Sequence, residues 1–352
     1  MLHTSWKSRL IRFAHLHQGQ NVPMATLTGS SRTVLGRTIH KRNIMSPSTN
    51  WLKRIKGEIR YDEPMAHHTS LRVGGPADLF IIPEDVTDLQ LIYKHHGDLP
   101  LFILGEGTNL LMSDKGFRGI VISTKNRFKS IEPPVFYKTS ESEEAAVVTA
   151  GAATKMSYLV KYLAKYSLTG MENLVGIPGS LGGALIMNAG ADGTEICDVV
   201  RSVTRVNAEG ELETLKKSDI RFEYRKATFP TPGGIIVEAE LELKKGDHST
   251  IQNTIDSHLD RRRNKQPLSL PNSGSVFKNP EGDAAGRLIE SAGLKGFSIG
   301  NAGVSIKHAN FIVNKGGATA ADVLEIIEHV RSTVKEKTGV ELETEVIIVG
   351  ER

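Results

Sequence analysis

The stretch GIPGSLGGALIMNAGADG, Gly176–Gly193, contains six glycines in eighteen residues. Glycine lets the backbone approach another group closely and adopt positive φ angles. Pro178 stiffens one turn, and few of the side chains are polar, so hydrogen bonds to a ligand must come mostly from the backbone. That composition suits a diphosphate and a flat ring. We therefore predict that the stretch surrounds an extended cofactor, with a close helix–helix packing contact as the structural alternative.

A second glycine loop, LGEGTNLL at residues 104–111, follows a short apolar run that predicts a strand. Gly105 and Gly107 would let successive backbone amides form a concavity that binds anions. The loop is not a Walker A loop, because no Gly-Lys-Ser/Thr follows, and it lacks the third glycine of a dinucleotide-binding fingerprint. Taken alone, it is either a tight turn or half of a phosphate-binding site.

A third segment, NSGSVFKNPEG at residues 272–282, places a hydroxyl, an ammonium and an amide close together. Ser275, Lys278 and Asn279 lie on backbone bracketed by Gly274 and Pro280. The apolar pair between the serine and the lysine is too short to form a strand by itself. The segment indicates either a chemically active loop or an ordinary turn that happens to contain a serine.

Hydrophobic periodicity predicts an α+β fold that begins near Trp51 and has three segments. Residues 51–125 predict strands, one helix and the first glycine loop. Residues 126–245 predict a strand, an amphipathic helix, the glycine-rich stretch and alternating strands, with a solvated polar loop at 130–145. Residues 246–352 predict two long helices, a short helix, short strands and a last strand.

Three helix boundaries and one hairpin are also predicted. Asp85 caps one helix, Thr319 caps another with Asp322 in its first turn, and Gly339 ends that second helix. The alternating segment VVRSVTRVNAEGELETL forms a hairpin that turns at Glu209-Gly210.

Composition excludes several classes of protein. The chain has 352 residues, 39% hydrophobic and 24% charged, and no apolar run approaches the roughly 20 residues that span a bilayer. Cys197 is the only cysteine, so an intramolecular disulfide is impossible. Residues 1–50 hold seven basic residues and no acid, which leaves 37 basic and 40 acidic residues, a net charge of −3, in the rest. We expect no nucleic-acid or membrane partner and no metal site.

The basic leader, residues 1–50, predicts a disordered extension. It is rich in Arg, Ser and Thr, a composition typical of organelle transit peptides. An unstructured extension, or an upstream start with the true start at Met24 or Met45, would give the same pattern. We expect a cytoplasmic protein, with organelle targeting as the alternative.

Together, GEGTNLL and GIPGSLGGALIMNAGA resemble the flavin-binding halves of the UDP-N-acetylenolpyruvoylglucosamine reductase (MurB) family. The resemblance continues in order through FEYRKATF, GSVFKNPEGDAAGRLIESAGLKG, KHANFIVN and GVELETEVIIVG, and covers roughly residues 59–350. It implies a two-lobed FAD-binding domain of the vanillyl-alcohol-oxidase (PCMH) type, with lobes at 51–125 and 126–245. It also implies a C-terminal α+β substrate domain at 246–352.

The family resemblance implies an activity as well. NADPH reduces noncovalently bound FAD, and hydride from the flavin N5 then reduces UDP-N-acetylglucosamine enolpyruvate to UDP-N-acetylmuramate, a peptidoglycan precursor. The protein would act as a monomer. Only KATFPTPGG separates Arg225 from the strand at Ile235, which implies the shorter second type of the family, without an inserted tyrosine loop.

The resemblance also assigns site residues, one by one. The implied catalytic residues are Ser275 as proton donor, Arg225 and Glu345. The implied cofactor-binding residues are Gly105, Glu106, Gly107, Thr108, Asn109, Leu110, Gly176, Ile177, Pro178, Gly179, Ser180, Gly183, Ala184 and Asn188. The implied substrate-binding residues are Tyr224, Lys278, Asn279, His308 and Asn310.

One assignment rests on the motif alone. Period-two alternation in a last strand would put Glu341, Glu343 and Glu345 on the same face, so the pattern cannot choose among them. Only the family motif favours Glu345, and whether it would be protonated or would orient the arginine stays open.

Two other functions compete with this one. An FAD-dependent oxidase of the same superfamily is the enzymatic alternative, although neither glycine segment offers a histidine for a covalent flavin. A protein that merely binds flavin or nucleotide sugar is the non-enzymatic alternative. The serine, arginine and glutamate of the family motifs favour the reductase over both.

Overall fold

The computed structural model describes residues 47–125 and 127–351, so nearly all of the predicted leader lies outside the described residues. The first segment begins with 3₁₀ turns at Pro47–Arg54 and Met65–His67. Its strands and helix are β1 Glu58–Pro64, β2 Pro76–Ile82, α1 Val86–His95, β3 Leu101–Leu104, β4 Leu110–Met112 and β5 Phe117–Ser123. Asp85 caps α1 by accepting hydrogen bonds from two backbone amides, as predicted.

The first sheet runs in the order β1-β2-β5-β3. β5 lies parallel to both β2 and β3, and β1 is antiparallel to β2. The central strands are almost fully buried, which explains their continuous apolar sequences. Because β3 ends at Leu104, the first glycine loop lies at the edge of the sheet where the parallel strands have their carboxyl ends.

The second segment contains ten strands, two helices and three 3₁₀ turns. They are β6 Val135–Lys138, β7 Glu144–Gly151, α2 Met156–Lys165, β8 Leu168–Thr169, a turn at Glu172–Gly176, α3 Leu181–Ile186, β9 Gly190–Ala191, β10 Thr194–Glu195, a turn at Ile196–Asp198, β11 Val200–Val206, β12 Leu212–Lys216, a turn at Lys217–Asp219, β13 Arg221–Glu223, β14 Lys226–Thr228 and β15 Ile235–Lys245. The large sheet has the order β12-β11-β15-β7-β6, and β8 pairs with β15. The hairpin predicted around Glu209-Gly210 is the antiparallel pair β11–β12.

One part of this segment differs from expectation. Residues 135–138, predicted as part of a solvated loop, form the edge strand β6, which pairs with β7. The strand is exposed despite its apolar residues Val135 and Phe136, because it lies at the margin of the sheet and has a paired strand on one side only. The Lys245 ammonium covers the ring of Phe136 at 5.1 Å.

The third segment supplies the remaining elements. They are α4 His248–Lys265, β16 Asn272–Ser275, α5 Ala285–Ser291, β17 Ser298–Ile299, β18 Ala302–Val304, β19 Phe311–Asn314, α6 Ala320–Thr338 and β20 Ile347–Val349. Four strands form an antiparallel sheet in the order β16-β19-β18-β17, against which α5 and α6 pack. None of the described helices is long and apolar enough to cross a membrane.

Two elements of the third segment contact the other segments. Ile251 and Ile255 of α4 pack into the hydrophobic core of the second segment. β20 lies parallel to β4, with Ile347 opposite Leu110. The third segment therefore packs against the second segment through α4 and against the first through β20. The domain boundary at residue 246 remains a prediction.

The predicted last strand is shorter than expected. Only Ile347–Val349 is a strand, and before it Thr344 makes a single bridge to Phe277. The three glutamates consequently do not share a strand face. Glu341 pairs with Lys335 and Glu343 with Lys278, whereas Glu345 turns to Arg225.

We predict that Thr319→Ala lowers the melting temperature by about 1–2 °C, because loss of an N-cap costs about 1 kcal/mol. Thr319 and Asp322 form a reciprocal capping box, in which the threonine oxygen accepts from the Asp322 amide at 3.1 Å. Differential scanning calorimetry would measure the change. Ser332→Ala, in the middle of the same helix, is the matched control, and equal melting of the two variants would show that the cap contributes nothing.

Candidate active site

The two glycine loops lie against each other. The Thr108 hydroxyl donates to the Pro178 carbonyl at 3.1 Å. A Cβ added at Gly105 would lie 2.9 Å from the Ser180 oxygen, closer than real Cβ atoms come. The first loop follows β3, and the second leads into α3, whose N-cap is Ser180. The two segments that the sequence singled out separately are thus parts of one surface.

This surface fits a dinucleotide cofactor. Gly107 has a φ of +66°, and a Cβ there would come within 2.2 Å of the His68 carbonyl oxygen. Gly179 has a φ of +126°, and exposed Gly183 has nothing closer to an added Cβ than the Ser180 oxygen at 3.6 Å. Gly107 and Gly179 let neighbouring parts of the chain pack closely, and Gly183 leaves bare backbone beside open space, which a diphosphate could approach.

Charge near the first loop is also suitable. The ammonium groups of Lys125 and Lys155 each lie 3.9 Å from one carboxylate oxygen of Glu106. The other oxygen of Glu106 is buried and has no hydrogen-bond partner among the described residues. An anionic cofactor would therefore meet two lysines that are only loosely paired.

The remaining residues predicted to bind the cofactor have mixed positions. Ile177 is partly buried, Pro178 is exposed, and Gly176 lies beside Arg262, whose side-chain carbon would be 3.5 Å from an added Cβ. Leu110 and Ala184 are buried in hydrophobic cores. The last two support the surface from behind, so any contact they make with a cofactor would be through the backbone.

Ser275 ends β16 and directly follows Gly274, which has a φ of +76°. Its side chain is half-buried, and its hydroxyl makes no hydrogen bond to any residue that the structure describes. A Cβ at Gly274 would lie 3.9 Å from the Thr108 carbonyl oxygen. The strand that carries the serine thus reaches the first glycine loop with the hydroxyl free.

Arg225 and Glu345, which are 120 residues apart, form an ion pair. Arg225 donates from Nε to Glu345 Oε1 at 2.9 Å and from Nη2 to the Gly190 carbonyl at 3.1 Å. Each side chain is 18% exposed. Arg225 Nη1 and Glu345 Oε2 make no hydrogen bond within residues 47–125 and 127–351. The pair is therefore fixed on one side and open on the other.

Burial raises the pKa of Glu345, against the opposing effects of Arg225 and, more weakly, Lys278. The desolvation of a carboxylate disfavours its charged form, and a neighbouring guanidinium only partly offsets that cost. The ion pair places the Glu345 carboxylate against the arginine, and its role in the reaction stays a prediction.

Backbone hydrogen bonds join these groups into one site. The Glu345 amide donates to the Val276 carbonyl at 2.8 Å, immediately after Ser275. The Asn109 side chain donates to the Glu345 carbonyl at 3.1 Å. Asn109 therefore links the glycine loop to the glutamate instead of projecting only toward a cofactor.

Three residues predicted to contact substrate lie at the margin of the site. Lys278 pairs with Glu343 at 2.6 Å, and exposed Asn279 accepts from the Ala285 amide at the start of α5. The Tyr224 ring is 48% exposed and lies 4.7 Å from the Arg225 guanidinium carbon. All three have polar atoms or ring surface left for a ligand.

Two of the residues predicted to contact a ligand are buried asparagines. Asn310 is buried, and its amide both accepts from the Phe277 amide and donates to the Phe277 carbonyl. Asn188 is fully buried and bonds to Glu195, Glu223 and Cys197. The amides of these asparagines make their hydrogen bonds within the protein, and both hydrogens of Asn188 Nδ2 are used there. Their assignment to ligand contacts stays a prediction.

His308 is half-buried, and burial lowers its pKa, so the imidazole is biased toward its neutral form. Its Nδ1 accepts from the Asn310 amide at 3.3 Å, and its ring packs edge-on against Phe311. The other ring nitrogen has no partner in the described part of the chain. His308 can therefore donate one hydrogen bond toward the site.

Sequence reasoning missed Ser70. Its amide donates to the Gly107 carbonyl at 3.0 Å, and its hydroxyl donates to the Asn272 carbonyl at 2.6 Å. It therefore joins the glycine loop to the strand that carries Ser275. The adjacent Gly74-Gly75 pair was the available signal, since a double glycine marks close backbone packing.

The comparisons with known proteins agree with this geometry. A model of the UDP-N-acetylenolpyruvoylglucosamine reductase C-terminal domain matches residues 266–349, and a model of an FAD binding domain matches residues 77–216. The UDP-N-acetylenolpyruvoylglucosamine reductase of Geotalea uraniireducens is 44% identical over 86% of this chain and 97% of its own length.

Two further relatives extend the comparison. UDP-N-acetylenolpyruvoylglucosamine reductase 2 of Symbiobacterium thermophilum is 42% identical over 87% of this chain and 98% of its own length. The crystal structure of the Thermus caldophilus reductase superposes with a TM-score of 0.68 at 32% identity, covering 84% of this chain and 99% of that chain. The expected fold, an FAD-binding region followed by a C-terminal substrate domain, is confirmed.

We predict that Glu345→Gln changes how stability depends on pH. A carboxyl whose pKa is raised by folding stabilises the protein below the unfolded value, about pH 4.3, and that contribution is lost as the pH rises through the folded pKa. The variant has no titrating group at this position and lacks this loss. The difference in free energy of unfolding, variant minus wild type, should therefore increase as the pH rises from the unfolded pKa through the folded pKa of Glu345. Urea unfolding between pH 4 and pH 7 would measure it, with exposed Glu343→Gln as control; parallel curves for wild type and Glu345→Gln would contradict the prediction.

Proposed function

The chain belongs to the UDP-N-acetylenolpyruvoylglucosamine reductase family, and we propose how its own residues carry out the family reaction. The reaction is the FAD-dependent reduction of UDP-N-acetylglucosamine enolpyruvate to UDP-N-acetylmuramate in peptidoglycan precursor synthesis. The observation that carries the assignment of roles is the Arg225–Glu345 pair, joined through Val276 to a serine with a free hydroxyl.

The two glycine loops and the lysines beside Glu106 would hold the cofactor. Bound FAD supplies a hydride, and we propose that NADPH is the reductant that replenishes it. We expect FAD to be held without a covalent bond, so that acid precipitation releases it from the protein.

Arg225 is proposed to hold the carboxylate of the enolpyruvyl group. Hydride addition to an unsaturated carboxylate builds negative charge on that carboxylate, and a guanidinium that stays charged stabilises it. The Nη1 group has no partner in the described residues and is available for this contact. The bonds from Nε and Nη2 to Glu345 and Gly190 fix the plane of the guanidinium beforehand.

Glu345 is proposed to orient Arg225, not to bind the substrate carboxylate as an anion. Its raised pKa means that a proton is held more readily here than on an exposed glutamate. When a second carboxylate approaches, repulsion between the two would raise that pKa further. A protonated Glu345 could then donate a hydrogen bond from Oε2, so that the arginine and the acid both face the developing charge.

Ser275 is proposed as the proton donor to the substrate carbon. A serine hydroxyl is a weak acid, so it serves only beside an anion that it can quench. Its lack of an internal partner leaves it free to approach that carbon.

The nucleotide part of the substrate is proposed to contact Lys278, Asn279, Tyr224 and His308. Lys278 provides a charge for the diphosphate, although Glu343 competes for it in the free protein. The nine residues between Arg225 and β15 fit the shorter type of the family, and exposed Tyr224 offers an aromatic surface on the Arg225 side. We also propose that the protein acts as a monomer in the cytoplasm.

The purified chain should oxidise NADPH when given UDP-N-acetylglucosamine enolpyruvate, and the loss of NADPH absorbance would follow the reaction. An oxidase would consume oxygen without this substrate, and a binding protein would do neither. Use of NADH at equal efficiency would overturn the proposed reductant while leaving the reductase activity in place.

We predict that Ser275→Ala separates the two half-reactions. Reduction of the flavin by NADPH should keep its rate, because it requires no proton from Ser275. Reoxidation by the enolpyruvyl substrate should slow by about 10²–10⁴-fold, the usual cost of losing a general acid. Stopped-flow absorbance would measure both rates. Unchanged reoxidation would remove Ser275 from the mechanism, and equal slowing of both steps would indicate a disturbed site.

A further inference from the structure

The hairpin that carries Arg225 joins no larger sheet among the described strands, although Phe222 and Ala227 pack against the hydrophobic core of the second segment. β13 and β14 pair only with each other among the described strands, and Tyr224-Arg225 forms the tip. Arg225 itself has a φ of +57°. A non-glycine residue in this left-handed region costs of order 1 kcal/mol and persists only when its surroundings impose it. A two-residue turn accommodates such a conformation, so what remains for contacts outside the hairpin is to fix where the tip lies relative to the rest of the site.

The fixing contacts come from the short segment after α3. The Asn188 side chain donates from Nδ2 to the Glu223 carbonyl at 3.1 Å, two residues before Arg225. Gly190 then accepts from Arg225 Nη2 at 3.1 Å. Asn188 thus holds the backbone just before the tip of the hairpin, and the Gly190 carbonyl holds the guanidinium of Arg225.

Asn188 is itself held rigidly. It is fully buried, and Nδ2 also donates to Glu195 Oε2 at 2.6 Å. Its Oδ1 accepts from the Cys197 amide at 3.3 Å. The whole hydrogen-bonding capacity of the Nδ2 group is directed at protein oxygens, which leaves none for a cofactor. Glu195 and Cys197 set the plane of the amide, and the Glu223 carbonyl receives the remaining hydrogen.

We propose that Asn188 is a positioning residue that acts through Arg225, by fixing the β13–β14 hairpin so that the guanidinium meets both Glu345 and the substrate carboxylate. This inference rests on the role of Arg225 proposed above. Only an amide satisfies all three contacts, because the Oδ1 side must accept and the Nδ2 side must donate twice. Aspartate would place a carboxylate against the Glu195 carboxylate and the Glu223 carbonyl.

The sharpest test exchanges donor and acceptor. In the double variant Asn188→Asp/Glu195→Gln, the new glutamine amide can donate to the new aspartate, so the contact between the two side chains is kept. The aspartate still accepts from the Cys197 amide, but the donation to the Glu223 carbonyl is replaced by a repulsive contact between two oxygens. The weak donation from the Cys197 thiol to Glu195 Oε2 is lost as well, because the amide nitrogen of the glutamine takes the place of that oxygen. Glu195→Gln alone is the matched control, since Asn188 can still donate to the glutamine oxygen.

The FAD-loaded double variant should reduce with NADPH at the rate of the control and should have the same flavin spectrum. Its reoxidation by the enolpyruvyl substrate should slow by about 10²-fold, the cost expected for a misplaced catalytic group. Both variants should melt within a few degrees of each other.

A double-mutant cycle distinguishes positioning from a general structural role. In an Arg225→Ala background, the Asn188→Asp/Glu195→Gln exchange should cause no further slowing of reoxidation, because the group that it positions is gone. The proposal would be overturned if the exchange slowed reoxidation by the same factor in the Arg225→Ala background as in the wild type. Normal reoxidation in the exchange variant would also overturn it. If the exchange variant does not load FAD, Asn188→Ser is put through the same cycle with the same outcomes.

The cycle also separates this inference from the proposed function. Normal reoxidation in Arg225→Ala alone would contradict the role of Arg225. Slow reoxidation in Arg225→Ala together with normal reoxidation in the exchange variant would contradict only the role of Asn188.

Discussion

The parallel pairing of β20 with β4 is the constraint on which the site depends. The last strand of the chain returns to the first segment and places Ile347 opposite Leu110. This register sets Glu345 beside Asn109, at the end of the first glycine loop. A shift of one residue would turn the intended glutamate away from the loop and bring Thr344 or Val346 in its place. The last strand of the described chain and the first glycine loop, more than 200 residues apart in sequence, are thereby joined before any ligand is considered.

The same junction explains why a buried ion pair is used here. Arg225 and Glu345 come from separate segments, and each is mostly withdrawn from water. An ion pair in such a place adds little net stability, because desolvation offsets much of the attraction. It does impose geometry, since an unpaired guanidinium or carboxylate would be costly. The pair is therefore better understood as a means of orienting a cation toward a substrate than as a contribution to folding.

The sequence predicted much of this architecture because its signals were local. The capping box at Thr319, the hairpin at Glu209-Gly210 and the glycine loops each follow from a few adjacent residues. The edge strand β6 escaped prediction because it has only four residues beside a polar, acidic stretch, and its pairing with β7 is not a local property. The choice of Glu345 over Glu343 also depended on distant partners, Arg225 and Lys278, which no periodicity reveals.

The asparagines show most clearly where the sequence stops being informative. A polar residue in a site motif suggests a ligand contact, but Asn188, Asn310 and Asn314 are all buried and bonded to backbone. An amide offers a donor and an acceptor without the desolvation cost of a charge, so it can fix a loop of irregular backbone that has no strand to pair with.

The groups proposed to do the chemistry have the opposite character. The Ser275 hydroxyl and the Nη1 group of Arg225 are among the polar groups that the described residues leave without partners. The site thus separates two kinds of polar residue. Those with satisfied hydrogen bonds hold the backbone in place, and those with unsatisfied capacity remain for the substrate. Sequence motifs mark both kinds alike, and only the hydrogen bonds distinguish them.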